Sequence, residues 1–339
     1  MPVWSDLSAR SRGLGTRLLD RATLERLTDA PDLLALGDQL RASGVVSEIA
    51  VRRSSAEALE REVRTRSGQL MRILTAWAGS RRRYLSLLFE DEDRRSVCTI
   101  VRGTVQGAPA AVKMSGLIPT MSLPERALET LAARESIGEV AALLSVWRHP
   151  YSRALDPIAG DARPDLFVFE RAVDRIFFAR ARRSVKRAGR SMRRFVADAI
   201  DLHNAFAALV LTERGGDIEV ATLFIRGGSR LSQDDFMSVS TSEDAVAAKR
   251  GLRSALEGSV YESVFDDDAE GPIGLESRAL HSALEWYRRR ARLDPIGPAP
   301  VLGFTLRVRA EAQDIRRVIG GVAIGAPAAA LVRDLVTLS

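Results

Sequence analysis

Self-similarity is the feature that most limits how this chain can fold. Three stretches, Asp93 to Arg102, Asp201 to Leu209 and Glu311 to Ile319, overlay at offsets of 108 (93 to 201) and 110 (201 to 311) residues. Each opens on a carboxylate and places a small polar residue three positions on, namely Ser96, Asn204 and Asp314. Apolar residues such as Val97, Ile100 and Val101 then recur at helical spacing. After the first two openings a glycine-containing loop leads to a new helix, and Leu123 and Leu231 each stand 30 residues beyond their carboxylate. A closing pattern follows: Leu144, Tyr151 and Leu155 in the first unit, and Leu256, Tyr261 and Phe265 in the second. Near the N-terminus, Leu40, Val45 and Ile49 read as a third copy of that ending. The third unit is therefore expected to be split, starting at the C-terminus and ending at the N-terminus. A unit repeated in this way has an apolar face that only its siblings cover.

The periodicity is helical almost everywhere. Leu18, Leu19, Leu24, Leu27, Leu33, Leu34, Leu36 and Leu40 fall at spacings that line helix faces, with Pro31 expected in the first turn of the second helix. Ser54 and Glu57 suggest a capping box ahead of a long helix carrying Leu59, Val63, Leu70, Ile73, Leu74 and Trp77. Only Ala110 to Lys113 and Val220 to Ile225 read as short strands. Loops are expected at 103–121, 156–165, 215–229, 266–274 and 294–300, where Gly, Pro and acidic residues concentrate. The expected fold class is all-α, with boundaries at 1–50 (completing the third unit), 51–160, 161–270 and 271–339.

Composition narrows the functional classes. With 339 residues, 46% hydrophobic and 28% charged, the chain has the material for a real core and lacks the signature of disorder. Its single cysteine, Cys98, excludes an intrachain disulfide and suits a reducing compartment. Asp6, Arg10 and Arg12 precede any long apolar run, so no secretory signal is expected. The most membrane-like stretch, Val318 to Leu338, contains Pro327, Arg333 and Asp334, which disfavour a span. The net charge of +6 is carried mainly by arginine, since Lys113, Lys186 and Lys249 are the only lysines.

No catalytic, cofactor or metal residue emerges. Asp93, Asp201 and Glu311 read as helix-opening carboxylates that stabilise free N–H groups. The pair His281 and Glu285 sits one helical turn apart without an evident third ligand, and His149 and His203 stand isolated. The glycines Gly320, Gly321 and Gly325 lack the ending of a phosphate loop. The densest basic stretch holds Arg180, Arg182, Arg183, Lys186, Arg187, Arg190, Arg193 and Arg194, with smaller clusters at Arg81 to Arg83 and Arg288 to Arg290. These read as a solvated face or as docking surface for an acidic partner.

Taken in order along the chain, these elements resemble the C subunit of the A/V-type rotary ATPases, whose counterpart in eukaryotic vacuolar enzymes is the d subunit. The residues concerned are Trp4 with Ala9 and Arg10, the leucines from Leu18 to Leu40, Asp201 with Asn204, Arg102, the pair Gly227 and Gly228, and the final Glu311 to Ile319 helix. Differences fall at Ser96 and Asp314, where the family favours Asn, at Val45, an aromatic position, and at Val210 and Gly320, which replace an arginine. The resemblance implies a funnel of three helical domains on the cytoplasmic side of the membrane, peripheral to it. Such a protein is a non-catalytic central-stalk adapter between the proteolipid ring and the shaft, needing no cofactor or small-molecule substrate. Arg81, Arg82, Arg83, Arg102, Arg182, Arg183, Arg187, Arg316 and Arg317 are then the candidate partner contacts. The alternative is an arginine-rich helical scaffold or nucleic-acid-binding protein, although no nucleic-acid reading module is present.

Overall fold

The computed structural model describes residues 3–161, 163–214, 219–266 and 272–338. Among the described residues all regular structure is helical, so the expected all-α class holds. Four helices open the chain: α1 (Ser5–Gly15), α2 (Arg21–Leu27), α3 (Leu33–Ala42) and α4 (Glu48–Arg53). Two long helices follow, α5 (Ala56–Trp77) and α6 (Arg82–Val105), then α7 (Ala110–Met114), α8 (Glu125–Ala132), α9 (Ile137–Val146) and α10 (Ser152–Leu155). A second long pair, α11 (Leu166–Val185) and α12 (Arg190–Arg214), precedes α13 (Val220–Leu223), α14 (Gln233–Ser240), α15 (Ala245–Ala255) and a 3-10 turn at Glu262–Phe265. The chain ends with the long pair α16 (Pro272–Leu293) and α17 (Ala299–Ala323), followed by α18 (Ala328–Arg333).

The order of helix lengths recurs. Each long pair is followed by a short helix, and then by helices of about 8 and 10 residues: α8 and α9 after the first, α14 and α15 after the second. After the third pair, the matching 7- and 10-residue helices are α2 and α3, at the other end of the chain. Local chemistry sets these boundaries. Leu19, Leu123 and Leu231 each directly precede the N-cap of the first of these helices, which is Asp20, Pro124 or Ser232. The second helix of each set is capped by a side chain, Asp32, Ser136 or Asp244, that accepts a first-turn N–H and so satisfies a group the helix cannot.

Several local expectations need correction. Pro31 lies outside α3, because Asp32 is the better cap and the helix starts at Leu33. Ser54 ends α4 in a left-handed conformation, and Ser55 caps α5 by accepting from the Ala58 N–H. Both expected strands are helical: Ala110 to Met114 forms α7, and Val220 to Leu223 forms α13 before the chain extends at Phe224. Each is a run of four or five residues, too short for periodicity to separate strand from helix. The expected loops are shorter than read, since α7 and α13 interrupt two of them; residues 215–218 and 267–271 lie outside the described residues. In the closing pattern, Leu252 rather than Leu256 stands where Leu144 and Leu40 do, each 21 residues past the leucine before the cap, and all three are fully buried. Ile49 is 68% exposed, while Val51 is buried in its place.

Burial ties the two ends of the chain together. Leu24, Leu27, Leu36 and Leu40 from α2 and α3 pack in one apolar cluster with Ile315, Val318 and Ile319 of α17. A larger cluster runs through the remainder and includes Phe178, Phe236 and Phe265, each nearly inaccessible. Helix α17 contacts α1, α2, α3, α5, α16 and α18, so it is the element on which both termini converge. The Val318 to Leu338 stretch is divided by a turn between α17 and α18. Among the described residues, the helix long and apolar enough to cross a membrane is instead α12, whose apolar window is more than half buried in the protein.

Because Leu40 is fully buried where the N-terminal helices meet α17, Leu40→Ala is expected to lower unfolding stability by about 2–5 kcal/mol. The urea midpoint followed by helical circular dichroism measures it, and a loss below about 1 kcal/mol would contradict this packing.

Candidate functional site

The three repeated carboxylates do not open helices. Asp93, Asp201 and Glu311 lie near the middle of α6, α12 and α17 and are 1–2% exposed. Their helices start a dozen residues earlier than the motif suggests, because apolar spacing continues upstream through residues such as Leu85, Met192 and Leu302. What they cap is a loop, not their own helix. Asp201 accepts from the backbone N–H groups of Ser229 (2.9 Å), Arg230 (3.0 Å) and Leu231 (3.2 Å), and from the Ser229 hydroxyl (3.1 Å). Asp93 accepts from the hydroxyls of Thr120 (2.5 Å) and Ser122, and Thr120 Oγ1 in turn holds the Leu123 N–H at 3.0 Å. Glu311 accepts from the Leu19 N–H (2.6 Å) and from Arg66 (2.5 Å). In every case the bound segment is the one running into Leu19, Leu123 or Leu231.

The polar residue one turn on pins the preceding stretch. Asn204 accepts from the Ile225 N–H at 3.0 Å and donates to the Ile225 carbonyl at 2.8 Å. Asp314 accepts from the Val336 and Thr337 N–H groups, both at 2.8 Å. Ser96 is buried at the corresponding place. The glycine pair has a steric reason: a Cβ on Gly228 would stand 1.9 Å from Asp201 Oδ1, and Gly227 has φ +118°. Burial raises the Asp201, Glu311 and Asp314 carboxyls above their ordinary range, against the N–H groups and, for Glu311, Arg66, which pull them down.

A charged seam that the sequence does not reveal joins the long helices. Arg94 of α6 pairs with Asp91 on its own helix and with Asp174 of α11, at 2.9 Å each. Asp174 also contacts His203 Nδ1 of α12 at 3.2 Å and Arg171 at 3.4 Å. Arg309 of α17 reaches back to Asp91 at 2.7 Å and to Glu92. The Asp174 carboxyl is desolvated by burial, but His203 and Arg94 outweigh that and hold it below its usual range. Burial lowers the His203 imidazole, against the pull of Asp174. Beside the seam lies a cavity of about 420 Å³ whose walls come mainly from α6, α11, α12, α15, α16 and α17. The residues carrying the seam sit on hydrophilic positions of amphipathic helices, where sequence alone gives no hint of a partner.

The nine candidate contact arginines do not form one surface. Arg81 pairs with Asp6, Arg82 touches Met121 Sδ, and Arg83 lies over the Tyr84 ring, all at the turn between α5 and α6. Arg182 and Arg183 donate to the Arg226 and Ala179 carbonyls, near Arg187 at the end of α11. Arg102 pairs with Glu170 of α11 at 2.7 Å, Arg316 lies against Gly116, and Arg317 bonds Ser277 of α16, so these three sit between elements instead. His281 Nε2 is 4.0 Å from Glu285, and its Nδ1 is 3.1 Å from the Val336 carbonyl. Among the described residues no three His, Cys, Asp or Glu side chains gather in a metal-holding group.

Two outcomes test this account. Asp201→Ala leaves three loop N–H groups without their acceptor and is expected to destabilise by about 2–4 kcal/mol, with Gly228→Ala causing a comparable loss; both are read from denaturant unfolding. Asp198, beside Arg194, has a buried Oδ2 with no partner among the described residues, and burial lifts its carboxyl to about 6. A raised acid is penalised when charged, so stability is gained as pH falls through about 6 toward the ordinary carboxylate value. Asp198→Asn is expected to be more stable than the parent by about 1–3 kcal/mol at neutral pH. The two should converge near pH 4, as titrated urea midpoints would show.

Comparison with known proteins identifies the family. The sequence model of the ATP synthase (C/AC39) subunit family matches residues 7–331. The C subunit of the A-type ATP synthase of Haloferax volcanii is 28% identical over 253 residues, covering 73% of this chain and 71% of that protein. Its counterpart in Haloquadratum walsbyi is 26% identical over 320 residues, covering 90% and 84%. That of Halorubrum lacusprofundi is 24% identical over 280 residues, covering 80% and 79%. With the family's sequence model matching it over residues 7–331, the chain belongs to the ATP synthase (C/AC39) subunit family.

Proposed function

We propose that this protein is the non-catalytic adapter of an A/V-type rotary ATPase, standing between the shaft turned by the catalytic head and the proteolipid ring. On this reading it is peripheral to the cytoplasmic side of the membrane, and its three helical units, divided near residues 50, 160 and 270, form a funnel. The observation that carries the reading is the locking of successive segments to long helices by buried carboxylates, in a chain matched by the family over residues 7–331. An element that passes torque must deform little under load. Packed long helices with pinned connections meet that need, since close-packed interiors have low compressibility.

The charged seam supports the same role. It stitches α6, α11, α12 and α17 with buried pairs, and breaking one partner of such a pair leaves an uncompensated charge, which makes sliding of one helix past another costly.

The test is coupling in the whole complex. Membranes from cells lacking this chain are expected to lose ATP-driven ion transport by at least about tenfold, while the detached head still hydrolyses ATP. Pull-down of the tagged chain should recover ring and shaft subunits together. Unchanged transport without the chain would overturn the proposal.

A further inference from the structure

The three turns between paired long helices gather at one end of the molecule, around α1. Arg81 in the first turn binds Asp6 and the Val3 carbonyl. The third turn receives Arg12 on the Pro295 carbonyl and Ser8 on the Gly297 carbonyl, each at 2.6 Å. The second and third turns share a hollow of about 380 Å³ with Val3 and Trp4, between Arg190 on one side and Ile296 on the other. Tyr84 at the start of α6 reaches the Arg187 carbonyl of the second turn at 3.5 Å.

This meeting of turns concentrates charge. Arg82 and Arg83 stand at the first turn, Lys186, Arg187, Arg190 and Arg193 at the second, and Arg289, Arg290 and Arg292 at the third, all exposed. Among the described residues none of them has a carboxylate within ion-pair distance, in contrast to Arg94, Arg102, Arg180 and Arg309 along the helix bodies. Among the described residues the carboxylates at this end are Asp6, engaged by Arg81, and Asp294. Aliphatic side chains project among the cations, with Leu293 78%, Val3 72% and Ile296 65% exposed.

Unpaired guanidinium groups around protruding aliphatic residues are the arrangement of an interfacial membrane contact. Arginine meets phosphate through two donors at once, and the aliphatic residues gain by leaving water. A surface for single-stranded nucleic acid would instead offer exposed aromatics for stacking among the cations, and the exposed apolar residues here are aliphatic. We infer that this end of the protein is a contact surface for anionic phospholipid headgroups, with Leu293 and Ile296 entering the headgroup layer. The inference stands on the surface itself and does not need the rotary assignment; if both hold, the helix turns face the bilayer.

Flotation of the full chain with vesicles tests it, comparing pure phosphatidylcholine with phosphatidylcholine holding about 30 mol% phosphatidylglycerol. Binding is expected to be at least about tenfold stronger with phosphatidylglycerol and to weaken by about tenfold in high salt. Lys186→Gln, Arg187→Gln, Arg190→Gln and Arg193→Gln together should abolish that preference, and Leu293→Ser with Ile296→Ser should weaken binding several-fold. The control Arg26→Gln, Arg41→Gln, Arg52→Gln and Arg53→Gln removes as many exposed charges from α2 to α4 and should leave binding intact, with melting curves verifying that each variant folds. Equal binding to both vesicles, equal loss in the control, or displacement by duplex DNA with no effect of the serine variants would each overturn the inference. Co-purification with ring and shaft is a separate readout, so failure here and failure of the rotary reading are distinguishable.

Discussion

A buried carboxylate in mid-helix, holding a segment that follows roughly a hundred ångström of extended chain later for Asp93 and Asp201 and lies 292 residues earlier for Glu311, is the interaction around which this structure is organised. An ionised group in such a place is costly unless several donors surround it. Asp201 has four donors, three of them backbone N–H groups, so the loop between α13 and α14 must adopt one conformation to satisfy it. The loop fixes the start of α14, and α14 packs back on α12, the helix that carries the carboxylate. Asp93 reaches the same result through hydroxyls, and Glu311 through a backbone N–H and an arginine. The chemistry differs in detail, yet the segment that is held is the same.

Between the long helices the fold relies on charge as well as apolar burial. Arg94, Asp174 and His203, together with Asp91, which links Arg94 to Arg309, satisfy one another in a partly closed space, and buried pairs of this kind contribute geometric definition more than net stability. Phe178 packs edge-on against His203 and fixes the ring in place. The aromatic and ionic layers therefore support each other at the junction of α6, α11 and α12.

Much of the fold is legible in the sequence because its determinants are periodic. Leucine spacing marks the helices, and the 108- and 110-residue offsets mark the recurrence of Asp93, Asp201 and Glu311 and lead to the expectation of a split third unit. Chemistry at single positions is less legible. The carboxylates read as helix openers because a cap and an interior acceptor look alike in sequence; only the upstream register, through Leu85, Met192 and Leu302, tells them apart. Ser54 reads as a cap in place of its neighbour Ser55, a difference of backbone conformation that composition does not encode. The seam stays hidden because Arg94 and Asp174 are 80 residues apart and resemble any other solvent-facing charge until the helices are placed together.

The union of both termini on α17 has a bearing on how the protein is made. Leu24, Leu36 and Leu40 leave the ribosome 275 to 295 residues before the Ile315, Val318 and Ile319 surface that covers them. Until then the opening helices carry an uncovered apolar face, the kind of surface that chaperones shield during synthesis. The finished molecule is in effect a ring closed without a covalent bond, so trimming either end opens the same seam.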